Sequence, residues 1–263
     1  MKLDAAITEV HEKYWDAEKQ AAIGKTVLLV EGEDDRGVVE AVLEKSVRGW
    51  ATHFRIVAAG GFKKVIGKKT LFPRHYLLID RDTRTDEQIA MLRSEESSLY
   101  VTEGWCIENL FLAPTFVATL GNVSLTNRLA AERERWVRAG ALWWTLQRAR
   151  EASQRWWDKI WPAGDYGMPR DGCEPASAAD FRAYFAAVAP LSVDIAGLAR
   201  EFEARLEHAQ AMSPADQWRV GVHGKAAFNH FFAGTTWDRR SLAGRLSHPL
   251  PSPLGDLLAL VRA

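Results

Sequence analysis

The sequence predicts an α/β fold: a mostly parallel sheet flanked by helices, followed by an α-helical C-terminal region. Three observations predict it. The continuous apolar run at residues 26–30 and the run at 75–79 have the length and character of strands buried on both faces, and residues 53–57 between them are a further strand candidate. Stretches with helical spacing of apolar residues separate them, and strand–helix alternation argues for a parallel sheet. Acidic residues stand directly after the first and third runs, where the crevice of such a sheet opens.

The elements follow in order. Residues 3–22 read as an amphipathic helix, with Leu3, Ile7, Val10, Tyr14 and Trp15 on one period and Gly24 as its stop. Thr26–Val30 is the first strand, ending at Glu31-Gly-Glu-Asp-Asp35. Residues 34–46 carry Val38, Val39, Ala41 and Val42 at helical spacing. His53–Val57 is a second strand, closed by Gly60-Gly61, and Lys63 to Lys69 is a short basic helix or loop. His75–Ile79 is a third strand, ending at Asp80-Arg-Asp82. Residues 85–94 read as a helix and Ser98–Val101 as a fourth strand.

Beyond about residue 105 the strand signals fade. Residues 124–160 form a long helical pattern rich in arginine and tryptophan, from Arg128 to Arg155. The tryptophan pairs there fit a core better than a base-stacking platform. Gly and Pro mark 158–175 as a loop, and 177–188, 194–211 and 253–262 read as helices. The expected division is a first domain over 1–123 and a helical region over 124–263 packed on it.

Composition excludes several classes. The chain has 263 residues, 34 basic and 34 acidic side chains and a formal charge of zero, unlike a histone-like protein or an acidic tail. Carboxylates outnumber bases in 1–123 and the reverse holds in 124–263. The two cysteines, Cys106 and Cys173, are too few for a zinc site built from three or four thiolates, or for a disulfide framework. The N-terminus lacks the apolar stretch of a signal peptide, and no apolar run is long enough to span a bilayer. A soluble, cytoplasmic protein with no membrane association is expected. No G-x-x-x-x-G-K-[ST] occurs, so nucleotide binding through a P-loop is not expected.

Two constellations carry chemistry. Strand geometry delivers Glu31, Asp80 and Asp82 to one edge of the sheet, and Asp35 lies one helical turn after Glu31. Carboxylates converging there repel one another and resist burial, and a divalent cation removes both problems. Hard oxygen donors favour Mg2+ or Mn2+ over zinc. Acids at 31–35 also suit a helix N-terminus, so capping is the competing reading of that segment alone.

Val-Glu-Gly-x-x-Asp at 30–35 after a first strand, with Leu-Ile-Asp-x-Asp at 78–82 after a third, resembles a TOPRIM domain over roughly residues 25–115. The resemblance extends to the OLD-type nucleases: Glu31-x3-Asp35, Asp80-x-Asp82, Cys106-Ile-Glu108 in place of Ser-x-Glu, and a C-terminal lysine matched by Lys225 in Gly224-Lys225. The runs Cys106-Ile-Glu-Asn-Leu110 and His223-Gly-Lys225 are most similar to TOPRIM proteins found alone or beside an ATPase in prokaryotic anti-phage defence, the PARIS system among them.

The resemblance implies a metal-dependent endonuclease hydrolysing phosphodiester bonds of DNA or RNA, transfer RNA included. It implies two Mg2+ or Mn2+ ions, with Asp80, Asp82 and Asp35 on one and Glu31 and Glu108 on the other, or Glu31 bridging. Glu31 and Lys225 are the catalytic candidates, Lys225 as a fixed positive charge. Glu108 at a helix start and Lys225 beside a core helix also have plain structural readings. Lys63, Lys64, Lys68 and Lys69 are candidate nucleic-acid contacts or a solvated face. Two further readings stand beside the nuclease. One is a toxin-like subunit silent until a partner ATPase sensor releases it; the other is a non-catalytic metal-binding module. A homodimer is compatible with all three.

Overall fold

The computed structural model describes residues 2–152, 175–186 and 194–262. The chain divides into two compact units: Met1–Thr102 with Trp237–Ala263, and Glu103–Thr236.

The first unit is built on a four-stranded, all-parallel sheet in the order β2-β1-β3-β4. Its strands are β1 (Thr26–Val30), β2 (Phe54–Ala58), β3 (His75–Ile79) and β4 (Leu99–Val101). Val30 pairs with Ala58 on one side and Leu78 on the other, so the carboxyl ends of β1, β2 and β3 are level. Around them lie α1 (Lys2–Ala21), α2 (Glu33–Ser46), α3 (Phe62–Lys68) and α4 (Asp86–Glu95).

Successive strand residues point to opposite faces, and the two faces take different helices. Val27, Leu29, Val57, Leu77 and Ile79 pack with Trp15 of α1, Val65 of α3 and Ile89 of α4. Leu28, Ile56 and Tyr76 point the other way, toward Val39 and Leu43 of α2 and Leu257, Leu260 and Val261 of the last helix. Leu29, Val30, Val57 and Leu77 have no exposed surface, as expected of strands covered on both faces. Tyr14 donates to the Ala58 carbonyl at 2.9 Å and Glu18 pairs with Arg55 at 2.6 Å, which ties α1 to β2.

The chain does not divide at the expected boundary of 123/124. Residues 103–123 pack with the second unit, while Trp237–Ala263 returns to the sheet. The apolar face of that segment covers α2 and the sheet. Arg240 bonds to Glu40 at 3.0 Å and Glu44 at 2.7 Å, and Lys45 donates to the Leu246 carbonyl at 2.8 Å.

The second unit is helical. It contains α5 (Asn109–Leu112), α6 (Pro114–Thr119), α7 (Val123–Ala152), α8 (Ala178–Ala186), α9 (Ile195–Ala211) and α10 (Gly224–Phe232), with a π-helical turn over Gln217–Gly221. Two helices of the returning segment, α11 (Arg239–Ala243) and α12 (Leu254–Arg262), complete the first unit. Trp136, Trp144 and Trp218 are buried, as expected of core side chains. Trp136 and Trp218 both pack on Phe231, at 5.7 and 5.5 Å between ring centres. Arg155, Trp156, Trp157, Trp161 and Cys173 lie outside the described residues, as does most of the expected loop at 158–175.

Helix α7 approaches the π-helical turn at Gly140, where a Cβ would overlap the carbonyl oxygen of Gly221. An alanine inside an ordinary helix stabilises it by about 1 kcal/mol relative to glycine. At this position the sign should invert. Gly140→Ala is expected to destabilise by about 2 kcal/mol, because backbone must move to admit one methyl. The urea midpoint of the variant checks this; a midpoint above wild type would contradict the close approach.

Candidate functional site

The helix after β1 covers one face of the sheet, and the helices after β2 and β3 cover the other. Adjacent strands β1 and β3 therefore send their chains in opposite directions. A crevice opens at their carboxyl ends, the place where such sheets bind ligands. Glu31 and Asp80 are the first residues beyond those two ends.

Both are locked in position. The Asp80 backbone N–H donates to Glu31 Oε1 at 3.1 Å, across the β1–β3 seam. The N–H groups of Gly60 and Gly61 both donate to the Glu31 carbonyl at 2.8 Å. Those two glycines have φ of 86° and 110°, which side chains rarely adopt, and this turn lets β2 feed back onto the end of β1. The Asp35 carboxylate accepts from Gly32 N–H at 2.8 Å and so caps α2. The capping reading of that segment and its place beside Glu31 thus hold together. Asp35 and Asp80 are buried, while the Asp82 side chain is half-exposed.

Arg84 completes the cluster. Its Nη1 donates to Asp82 Oδ2 at 3.1 Å, to the Asp80 carbonyl at 2.8 Å and to the Arg81 carbonyl at 3.2 Å. Its guanidinium lies 4.1 Å over the Phe62 ring. Burial pushes the Glu31 carboxyl up to about 7, and the charges of Asp82 and Asp35 push the same way. The Asp80 N–H and Arg84 pull against them.

Among the described residues the donor set suits a hard divalent cation: four carboxylates, one of them a half-buried acid whose charge its neighbours oppose. The side chains are not gathered into a ready cage. Among the described residues, no three His, Cys, Asp or Glu side chains are grouped to hold a metal ion. Asp35 is turned to Gly32 and Asp82 to Arg84.

Glu108 and Lys225 belong to the second unit, where they share surroundings with His223. Glu108 has no exposed surface. His223 caps α10, its Nδ1 accepting from Ala226 N–H at 3.1 Å, so that nitrogen carries no proton. The ring stands edge-on to Trp105 and Trp143, with centres 5.0 and 4.8 Å away. Burial holds His223 down to about 4; the Glu108 charge acts against this and the Lys225 charge with it.

Asn109 organises the same region. It donates to the carbonyls of Trp218 and Val222, each at 2.9 Å, and accepts from Cys106 N–H at 3.2 Å. A Cβ on Gly104 or Gly224 would collide with it. The run Cys106-Ile-Glu-Asn and the run His223-Gly-Lys contain both His223 and Asn109, but composition and spacing give neither a role. Arg84 was equally hidden: it is one arginine in Asp80-Arg-Asp-Thr-Arg84.

The four candidate lysines separate. Lys63 and Lys64 are exposed in the first turn of α3, which begins at the carboxylate edge of the sheet. Lys68 and Lys69 are at the other end of that helix. Lys68 lies 5.3 Å over Trp15, and Lys69 pairs with Glu96 at 2.6 Å. No described helix is long and apolar enough to cross a membrane. Compared with family models, curated proteins and solved structures, the chain matches none. The TOPRIM resemblance accordingly rests on the motifs themselves.

The folded pKa of Glu31, about 7, lies above its ordinary 4.5. Its stabilising contribution is therefore complete below pH 4.5 and lost as pH rises through 7. Without metal, the protein should lose about 3 kcal/mol from this group between those limits. Glu31→Gln should flatten the fall; urea melts at pH 5 and pH 8 in EDTA measure it, and parallel slopes would refute the assignment. In the second unit, Asn109→Ala strands two carbonyls and one N–H. It should cost about 3–5 kcal/mol, and a loss under about 1 kcal/mol in the same melts would contradict its role.

Proposed function

We propose that this protein is a metal-dependent phosphodiesterase, an endonuclease acting on DNA or RNA in the cytoplasm, with Mg2+ or Mn2+ as its cofactor. One observation carries the reading. Glu31 and Asp80 meet at the β1–β3 switch point, hydrogen-bonded to each other at 3.1 Å, with Asp82 and Asp35 close enough to oppose the ionisation of Glu31.

Glu31, Asp35, Asp80 and Asp82 would hold the metal. When bound, a divalent ion of this kind supplies a polarised water and neutralises charge on a phosphoryl oxygen. The chain's own residues do the positioning. The Asp80 N–H and the Gly60-Gly61 turn fix Glu31, so this carboxylate is in place before any ligand arrives. Without a cation the burial of Glu31 and its carboxylate neighbours hold its carboxyl up to about 7, and a divalent ion at the cluster would favour the ionised form that ligates. Lys63 and Lys64 stand at the same edge of the sheet, where ammonium groups can meet a phosphate backbone. Lys68 and Lys69 have partners in the fold and are not assigned to substrate.

The reading is tested with the purified chain on single- and double-stranded DNA and on RNA, with Mg2+ or Mn2+ and with EDTA. Wild type should cleave only with metal. Asp80→Asn should lower the rate roughly 10³-fold, because loss of a ligand forfeits several kcal/mol of charge stabilisation. Full cleavage in EDTA, or an Asp80→Asn variant as active as wild type, would overturn it.

A further inference from the structure

We propose that Arg84 is a built-in counter-cation of the carboxylate cluster, whose guanidinium holds Asp82 until a divalent ion displaces it. The inference rests on the reading of the cluster as a metal site. It explains why the Asp82 carboxylate is turned to Arg84 and not gathered with the others into a cage.

The geometry suits an arginine. One nitrogen reaches the Asp82 carboxylate and the carbonyls of Asp80 and Arg81, while the flat face lies on Phe62. A planar, delocalised cation can lay its face on the ring while an edge nitrogen donates in the ring-parallel direction. The Arg84 side chain is only 16% exposed, whereas Asp82 is 54% exposed. The cation is thus the enclosed, fixed partner and the carboxylate the one with room to turn. Asp82 has φ of 50°, the single non-glycine residue with positive φ among those described. The chain there is bent into a conformation disfavoured for L-residues, though tolerated by aspartate. This bend accompanies the contact between Asp82 and the residue two positions on.

Arg84 and a divalent ion compete for Asp82. A guanidinium offers donors and one positive charge. A metal ion takes several oxygens at once and brings two charges. Binding one at the Asp82 carboxylate disfavours the other, and the coupling is reciprocal. Arg84 would thereby set how much free metal the cluster needs before it fills.

The test uses metal-stripped full-length protein titrated calorimetrically with Mn2+ alone, alongside thermal melts without metal. Arg84→Gln should bind Mn2+ roughly tenfold tighter, since a competing positive charge has gone. Its metal-free melting temperature should fall, because the carboxylates then repel without relief. Arg84→Lys, which keeps the charge but not the fork, should have an affinity between the two. If Arg84→Gln does not fold cooperatively, Arg84→Lys alone decides, and an affinity no tighter than wild type overturns the proposal. If wild type binds Mn2+ and Arg84→Gln binds it equally or more weakly, Arg84 is only a loop tether and the metal reading survives. If neither wild type nor variant binds Mn2+, the metal reading fails and the proposal with it.

Discussion

A carboxylate enclosed beside other carboxylates resists ionisation, and Glu31 is placed in that situation by the sheet itself. β1 and β3 are neighbours in parallel register, so the residues that follow them emerge side by side. One backbone N–H, from Asp80, bonds across the two ends. Much of the first unit serves that seam. The Gly60-Gly61 turn holds the Glu31 backbone, Asp35 caps α2 beside it, and Arg84 offsets the accumulated charge. Protonation, a guanidinium and a metal ion are three physical remedies for the same crowding. The structure displays the second, and the raised pKa of Glu31 indicates the first.

The helical unit solves a different problem. Helix ends and tight turns leave backbone groups that must be satisfied in the interior. Asn109 satisfies three of them at once, and glycines at 104 and 224 leave it room. His223 satisfies another by capping α10 and is thereby fixed in one tautomer. Glu108 and Lys225 both act on that histidine. These residues form one electrostatic cluster inside their own unit. That cluster gives Glu108 and Lys225 a local context that a motif alone does not supply.

Fold does not decide function; the same doubly wound sheet hosts many chemistries. What narrows the choice here is chemical. Among the described residues the switch point carries carboxylates and no thiolate or imidazole, and the sequence has no glycine-rich loop of P-loop spacing. An all-carboxylate crevice disfavours an anion unless a cation intervenes, and exposed lysines at the same edge suit a polyanion. The proposed metal-dependent reaction on a phosphate ester would reconcile those two facts.

The sequence by itself determined the strands and what ends them. Thr26–Val30 and His75–Ile79 were readable residue for residue, because burial on both faces leaves short, mostly apolar runs of strand length rich in branched side chains. The acids directly after them were equally readable, since a strand fixes where its next residue emerges. Tertiary structure alone decided the rest. It set the division of the chain, because Trp237–Ala263 packs on α2 and the sheet through contacts distant in sequence, such as Arg240 with Glu40. It separated Lys63 and Lys64 from Lys68 and Lys69, because a helix carries the ends of one basic run to different partners. It also chose Arg84 over its neighbour Arg81 as the cation of the carboxylate cluster. Charge and spacing are nearly alike for those two arginines. Only the bend at Asp82 and the face of Phe62 distinguish them, and both are products of folding.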